Sequence, residues 1–142
     1  MKITKKFDWV MGHRVLNHPF CGNIHGHNWQ CKITVDGKQD KNSYDFVMDY
    51  SDLKQIFNEF IHKPLDHAFI VYSQDDFRHY LVENIQKHLI VDFETNSENI
   101  AKFIFRQINR EVQKLTNNRC KVTRVKIYET PTSEAVYYGE EE

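Results

Sequence analysis

The chain has 142 residues, 27% of them charged and 40% hydrophobic, with a formal net charge of −1. That length supports one domain with a real core, and the near-zero charge gives no global electrostatic reason to bind nucleic acid or a membrane surface. No apolar run approaches the ~20 residues of a membrane helix, the opening Met1-Lys-Ile-Thr-Lys-Lys-Phe-Asp lacks the apolar centre of a signal peptide, and three cysteines in no disulfide pattern point to a reducing cytoplasm.

Residues 2–11 alternate, with Ile3, Phe7, Trp9 and Met11 on one face, as in a half-buried strand. His13 shares their parity if the strand keeps its register past Gly12. Residues 14–24 contain Pro19 and Gly22 and read as a loop. A second strand runs from about Gly26 to Val35, and Asp36-Gly37-Lys38 turns into a polar loop. Ser51 is a plausible N-cap for a first helix carrying Leu53, Ile56, Phe57, Phe60 and Ile61 and ending before Pro64. Residues 75–88 allow a shorter helix, and Leu89 to Phe93 an extended piece. Ser97 can cap a long helix with Ile100, Ala101, Ile104, Phe105, Ile108, Val112 and Leu115 as its apolar stripe. Asn117-Asn118 suits the exit, since Asn tolerates the left-handed conformation. Cys120 to Thr130 and Ser133 to Tyr138 read as strands around the Thr130-Pro131-Thr132 turn, and Glu140-Glu141-Glu142 as a frayed acidic tail.

This order predicts a single α+β domain over residues 1–142, a four-stranded antiparallel sheet with helices on one face. The other face needs cover. Trp9, Trp29 and Tyr137-Tyr138 are costly to expose at roughly 25 cal/mol per Å², so self-association is expected.

Three groups carry chemistry. In the second strand His25 and His27 share a face with Trp29, Cys31, Ile33 and Val35, because strand side chains alternate. Two imidazoles so placed can reach one metal ion, and three with an open fourth position are the usual design of catalytic zinc. His13 is the candidate third ligand, with His18 and His67 competing. Cys21, four residues before His25, would lie beside that metal, which favours a thiolate. Asp66 next to His67 can orient an imidazole for proton transfer, or be a plain surface pair. Glu129 shares a face with Val125 and Ile127, so a carboxylate ends an apolar row. It needs donors there, such as the paired N–H groups of a guanine-like ring, unless it is an exposed strand-end acid. Cys31 and Cys120 read as packing residues, and His62, His79 and His88 as surface residues.

Together, Gly12-His13-Arg14, Cys21 to His27, Met48-Asp49-Tyr50, Leu65-Asp66-His67, Ser97-Glu98-Asn99-Ile100-Ala101 and Glu129-Thr130 resemble the 6-pyruvoyltetrahydropterin and 6-carboxytetrahydropterin synthase family over nearly the whole chain. The family typically has Asn-Pro-Thr where this chain has Glu94-Thr95-Asn96. The resemblance implies the tunnelling fold, in which subunits join their sheets into a barrel, here a homo-oligomer (a hexamer in the family) with active sites at subunit interfaces. It also implies zinc held by His13, His25 and His27, Cys21 with Asp66 and His67 as catalytic residues, and Glu129 as pterin anchor, with no organic cofactor. The implied substrate is 7,8-dihydroneopterin triphosphate. The carboxy branch, favoured here, forms 6-carboxytetrahydropterin, acetaldehyde and triphosphate for queuosine (7-deazapurine) synthesis. A 6-pyruvoyl synthase and a non-catalytic zinc-containing pterin- or purine-binding protein are the alternatives.

Overall fold

Along the chain the elements are β1 (Lys2–His13), β2 (His25–Gly37), α1 (Tyr50–Phe57), a π-helical turn (Asn58–His62), α2 (Lys63–Leu65), β3 (Ala68–Tyr72), α3 (Phe77–Glu83), β4 (His88–Val91), α4 (Ser97–Leu115), β5 (Cys120–Thr130) and β6 (Ser133–Tyr137). The computed structural model describes residues 1–140; Glu141 and Glu142, the end of the acidic tail, lie outside the described residues.

β1, β2, β5 and β6 are the strands the alternation predicts, and they pair antiparallel. β1 and β2 stay in register from Lys2 opposite Asp36 to His13 opposite His25. β5 lies against β2 with a bulge at Thr34/Val35, and β6 returns along β5. The sheet has six strands rather than the expected four, in the order β4-β3-β1-β2-β5-β6. The additional β3 and β4 pair parallel, β3 meeting β1 only at Met11 and Gly12. The sequence hides β3, because Ala68, Phe69, Ile70 and Val71 are all buried and a strand covered on both faces shows no alternation, whereas β4 overlaps the extended piece read from Leu89.

α1, the π-turn and α4 cover one face, burying Leu53, Phe57, Ile61, Ile100, Ile104 and Ile108 against Trp9, Trp29, Ile33 and Ile127. Each such side chain contributes about 1.5–3 kcal/mol. Contrary to a one-sided layer, α3 packs on the opposite face, where Phe69, Val71, Leu81 and Phe77 form a second small cluster. Gly12 is required there: a Cβ on it would sit 2.8 Å from the Phe69 ring.

Several boundaries differ from expectation for local reasons. Asp49 rather than Ser51 caps α1, accepting from the Ser51 N–H. Asn96 rather than Ser97 caps α4, accepting from the Asn99 N–H. The first helical segment does not stop before Pro64 but widens into the π-turn and continues to Leu65. Proline lacks an N–H and crowds the carbonyl four residues back, and a wider turn relieves both. Asn117 and Asn118 take positive φ, as expected.

The argument for self-association from exposed aromatics is left with Tyr138 alone, which is exposed, since Trp9, Trp29 and Tyr137 are buried within the chain. Trp9 stacks on Trp29 and Tyr137 meets Phe105 edge-on. The face they leave free is polar: Lys6, Lys32 and Lys126 stand directly opposite one another on β1, β2 and β5.

Candidate metal centre and active site

The shared register of β1 and β2 sets His13 opposite His25, with His27 one pleat further along β2. Trp29 forms the floor, its ring edge-on to both His13 and His27, and its indole N–H donates to the Met11 carbonyl at 3.1 Å. One ligand atom from each of His13, His25, His27 and Glu129 lies within 4.8 Å of all the others. Parity thus brings together all four groups that it placed on the inner face.

The two ring nitrogens of these histidines are used differently. His13 donates from Nδ1 to the Thr95 carbonyl at 2.6 Å, and His25 from Nδ1 to the Asn23 carbonyl at 2.6 Å. With Nδ1 protonated, the Nε2 lone pair is free. The Nε2 atoms of His13 and His27 are buried without a hydrogen-bond partner among the described residues, although His27 Nε2 lies 2.9 Å from Glu129 Oε1 and His13 Nε2 3.8 Å. Burial pushes both imidazoles below the ordinary histidine value, outweighing the opposing pull of the Thr95 carbonyl on His13 and of Glu129 on both. Neutral imidazoles with unpaired lone pairs are what a metal ion takes. The donor set therefore fits a divalent metal.

The competing histidines are otherwise engaged. His18 Nδ1 accepts the N–H groups of Phe20 and Cys21, folding the 14–24 loop on itself. His67 is 78% exposed and donates from Nδ1 to Asp66 Oδ2 at 2.8 Å. The Asp66-His67 pair is docked on β1 at one residue: the Val10 N–H donates to Asp66 Oδ1, and the Val10 carbonyl accepts the His67 N–H. His67 adopts a positive φ of 58° to do so. Against the partial burial that raises it, the Val10 N–H and His67 hold the Asp66 carboxyl below the usual carboxylate range. His67 and His27 line one open groove of about 460 Å³ with Gly12, Gly26 and Asn28.

Cys21 is not one of the four clustered groups. It sits partly exposed in the loop, its carbonyl accepting the Val15 N–H. Cys31 and Cys120 are buried, and burial pushes both thiols up, in keeping with packing roles. Glu129 is not a free strand-end acid, because it faces the histidines.

Sequence reasoning missed the residues behind the site. Arg14 grips the buried Asp75 through Nε at 2.7 Å and Nη2 at 2.5 Å. Thr95, fully buried, supplies the His13 carbonyl contact. His62, read as a surface residue, lies 3.7 Å from Asp66 Oδ2. The one sequence signal was the departure at Glu94-Thr95-Asn96.

The family described as 6-pyruvoyl tetrahydropterin synthase matches residues 2–140. A 6-carboxy-5,6,7,8-tetrahydropterin synthase from Haemophilus influenzae is 33% identical over 144 residues, covering 96% of this chain and 97% of its own. Among solved structures, an uncharacterized protein from Wolinella succinogenes superposes with a TM-score of 0.83 at 23% identity, over 99% of this chain and 98% of that one. The 6-pyruvoyl tetrahydropterin synthase of Caenorhabditis elegans does so with a TM-score of 0.72 at 20% identity, over 99% and 96%. These likenesses show the fold, the tunnelling fold.

Proposed function

Because the chain belongs to the 6-pyruvoyl tetrahydropterin synthase family, we propose that this lyase converts 7,8-dihydroneopterin triphosphate to 6-carboxytetrahydropterin, acetaldehyde and triphosphate, a step toward 7-deazapurines such as queuosine. The observation that carries the reading is the convergence of His13, His25, His27 and Glu129 in a chain 33% identical to a carboxytetrahydropterin synthase.

His13, His25 and His27 would hold zinc, which three imidazoles suit. Bound there, zinc supplies Lewis acidity toward the oxygens of the substrate side chain. The chain's own residues then have separate tasks. Cys21 takes the carbon-bound proton beside the developing carbonyl. Asp66 fixes the His67 tautomer, leaving the exposed Nε2 to pass protons. Glu129 offers only acceptors, matching the paired donors of the pterin ring.

The working form in this reading is a homo-oligomer with sites between subunits, a hexamer by family resemblance. Open strand edges and exposed residues around the site support it. The β1 edge away from β2 is paired only at Met11 and Gly12, and β6 is an edge strand. Phe20 and Ile24, flanking Cys21, are exposed, and so is the His67 ring. Free thiols at all three cysteines suit a cytoplasmic setting. No described helix is long and apolar enough to cross a membrane.

The second reading is a 6-pyruvoyl synthase, the activity for which the matching family is described. It would release triphosphate without acetaldehyde. Incubation with dihydroneopterin triphosphate followed by product identification separates the two, and an unconsumed substrate would leave a pterin-binding protein without turnover.

A further inference from the structure

We propose that Thr95 and Asp75 are positioning residues for His13, acting through a continuous hydrogen-bonded brace that runs from the β3–α3 connection to the imidazole. The inference rests on the metal-site reading above.

His13 is the last residue of β1, where a strand end is prone to fray. Its ring is nonetheless fully buried, with Nδ1 donating to the Thr95 carbonyl. That carbonyl is itself held from three sides. The Thr95 hydroxyl donates to the Arg14 carbonyl at 2.9 Å, locking the two chain segments together immediately past His13. The Thr95 N–H donates to Glu94 Oε1, and the same oxygen accepts the Leu16 N–H at 3.1 Å. Asn99 Nδ2 on α4 donates to the Glu94 carbonyl at 2.9 Å.

Arg14 is drawn the other way by its two-point contact with Asp75, which is only 2% exposed and also accepts the Phe77 N–H. Its guanidinium lies 5.4 Å from the Phe77 ring. Burying an ion pair is a poor route to stability, and its best-attested return is geometric definition. Here the geometry defined is the peptide that carries His13 into the cluster. The contrast with His25 supports this: its Nδ1 is set by Asn23, two residues away, so it needs no distant brace. His13 takes its partner from 82 residues away.

The brace has two consequences for the imidazole. It fixes the Nδ1–H tautomer, so that Nε2 presents its lone pair, and it restrains the ring's tilt. Groups standing behind a metal-binding histidine in this way typically change metal affinity 10- to 100-fold when altered.

The test uses wild type, Thr95→Val, Thr95→Ser and Asp75→Asn. Zinc affinity is measured by chelator competition and ligand geometry by the visible spectrum of the cobalt-substituted protein. In the metal-free protein, imidazole nitrogen NMR reports the His13 tautomer. Thr95→Val should weaken zinc binding about 10-fold or more, shift the cobalt bands and mix the tautomers. Thr95→Ser, which keeps the hydroxyl, should match wild type, and Asp75→Asn should move all three readouts in the Val direction. If Thr95→Val does not fold, Asp75→Asn and Arg14→Lys, which loses the two-point contact, carry the same readouts. Wild-type affinity, cobalt spectrum and tautomer in the variants, with only the unfolding midpoint lowered, would overturn the proposal. A wild-type protein that binds no metal would overturn the metal reading instead, and the tautomer comparison would still decide the brace.

Discussion

Glu129 Oε1 lies 2.9 Å from Nε2 of His27, so the last inward-facing carboxylate of β5 meets the second strand's histidine pair across the sheet. The contact brings ring anchor and metal ligands of the proposed site into one cluster. It also makes zinc content the measurement that tells their roles apart.

Glu129→Gln should weaken substrate use more than folding, because the amide presents a donor where the ring also presents one. One lost charged hydrogen bond plus the mismatch costs about 2–4 kcal/mol, or roughly 30- to 1000-fold in kcat/KM. Zinc content should stay at the wild-type level. A variant with normal kinetics removes the anchor role, and one that loses zinc makes Glu129 a ligand.

Wild type should carry about one zinc per subunit, with His25→Ala and His27→Ala carrying markedly less. One ring nitrogen of each lies within 4.8 Å of the other ligand atoms of the cluster, which motivates the expectation. Elemental analysis decides it, and undiminished zinc in both variants sinks the assignment.

Cys21→Ala should keep zinc and fold yet lose turnover by about 100- to 10,000-fold, the usual span for removing a proton-transferring group. Its place outside the four-group cluster argues that it is no ligand. Retention of most of the rate would transfer the base role to another residue.

The Arg14 guanidinium holds the Asp75 carboxyl below its ordinary value of 3.8, against the burial that raises it. A carboxyl held low in the folded state stabilises the fold fully above its unfolded value and loses that contribution as pH falls through the folded one. Asp75→Asn should therefore cost about 3 kcal/mol at neutral pH, the scale of breaking a buried pair from one side. The deficit should shrink as the pH is lowered below about 3.8. Urea unfolding at neutral and acid pH checks this, and a deficit independent of pH contradicts it.

What could be read from the sequence follows from alternation. His13, His25, His27 and Glu129 share the inner face with Trp9, Trp29 and Ile127, and period two alone assigns them there. The α4 stripe of Ile100, Ile104, Ile108 and Val112 is legible in the same way. Parity does not say which side the helices take, so Trp9 and Trp29 could not be assigned to the chain's own core. β3 was obscured because Phe69 and Val71 are buried on the second face, whereas α3 falls within the helix read over residues 75–88. The Thr95 and Asp75 contacts join segments 82 and 61 residues apart in the chain, and no local pattern announces them.

The most direct measurement is the product set formed from 7,8-dihydroneopterin triphosphate by the zinc-loaded protein. The account predicts 6-carboxytetrahydropterin, acetaldehyde and triphosphate in equal amounts. Triphosphate without acetaldehyde would contradict the carboxy assignment in favour of the pyruvoyl one, and recovery of unchanged substrate from zinc-loaded, folded protein would contradict the lyase reading itself.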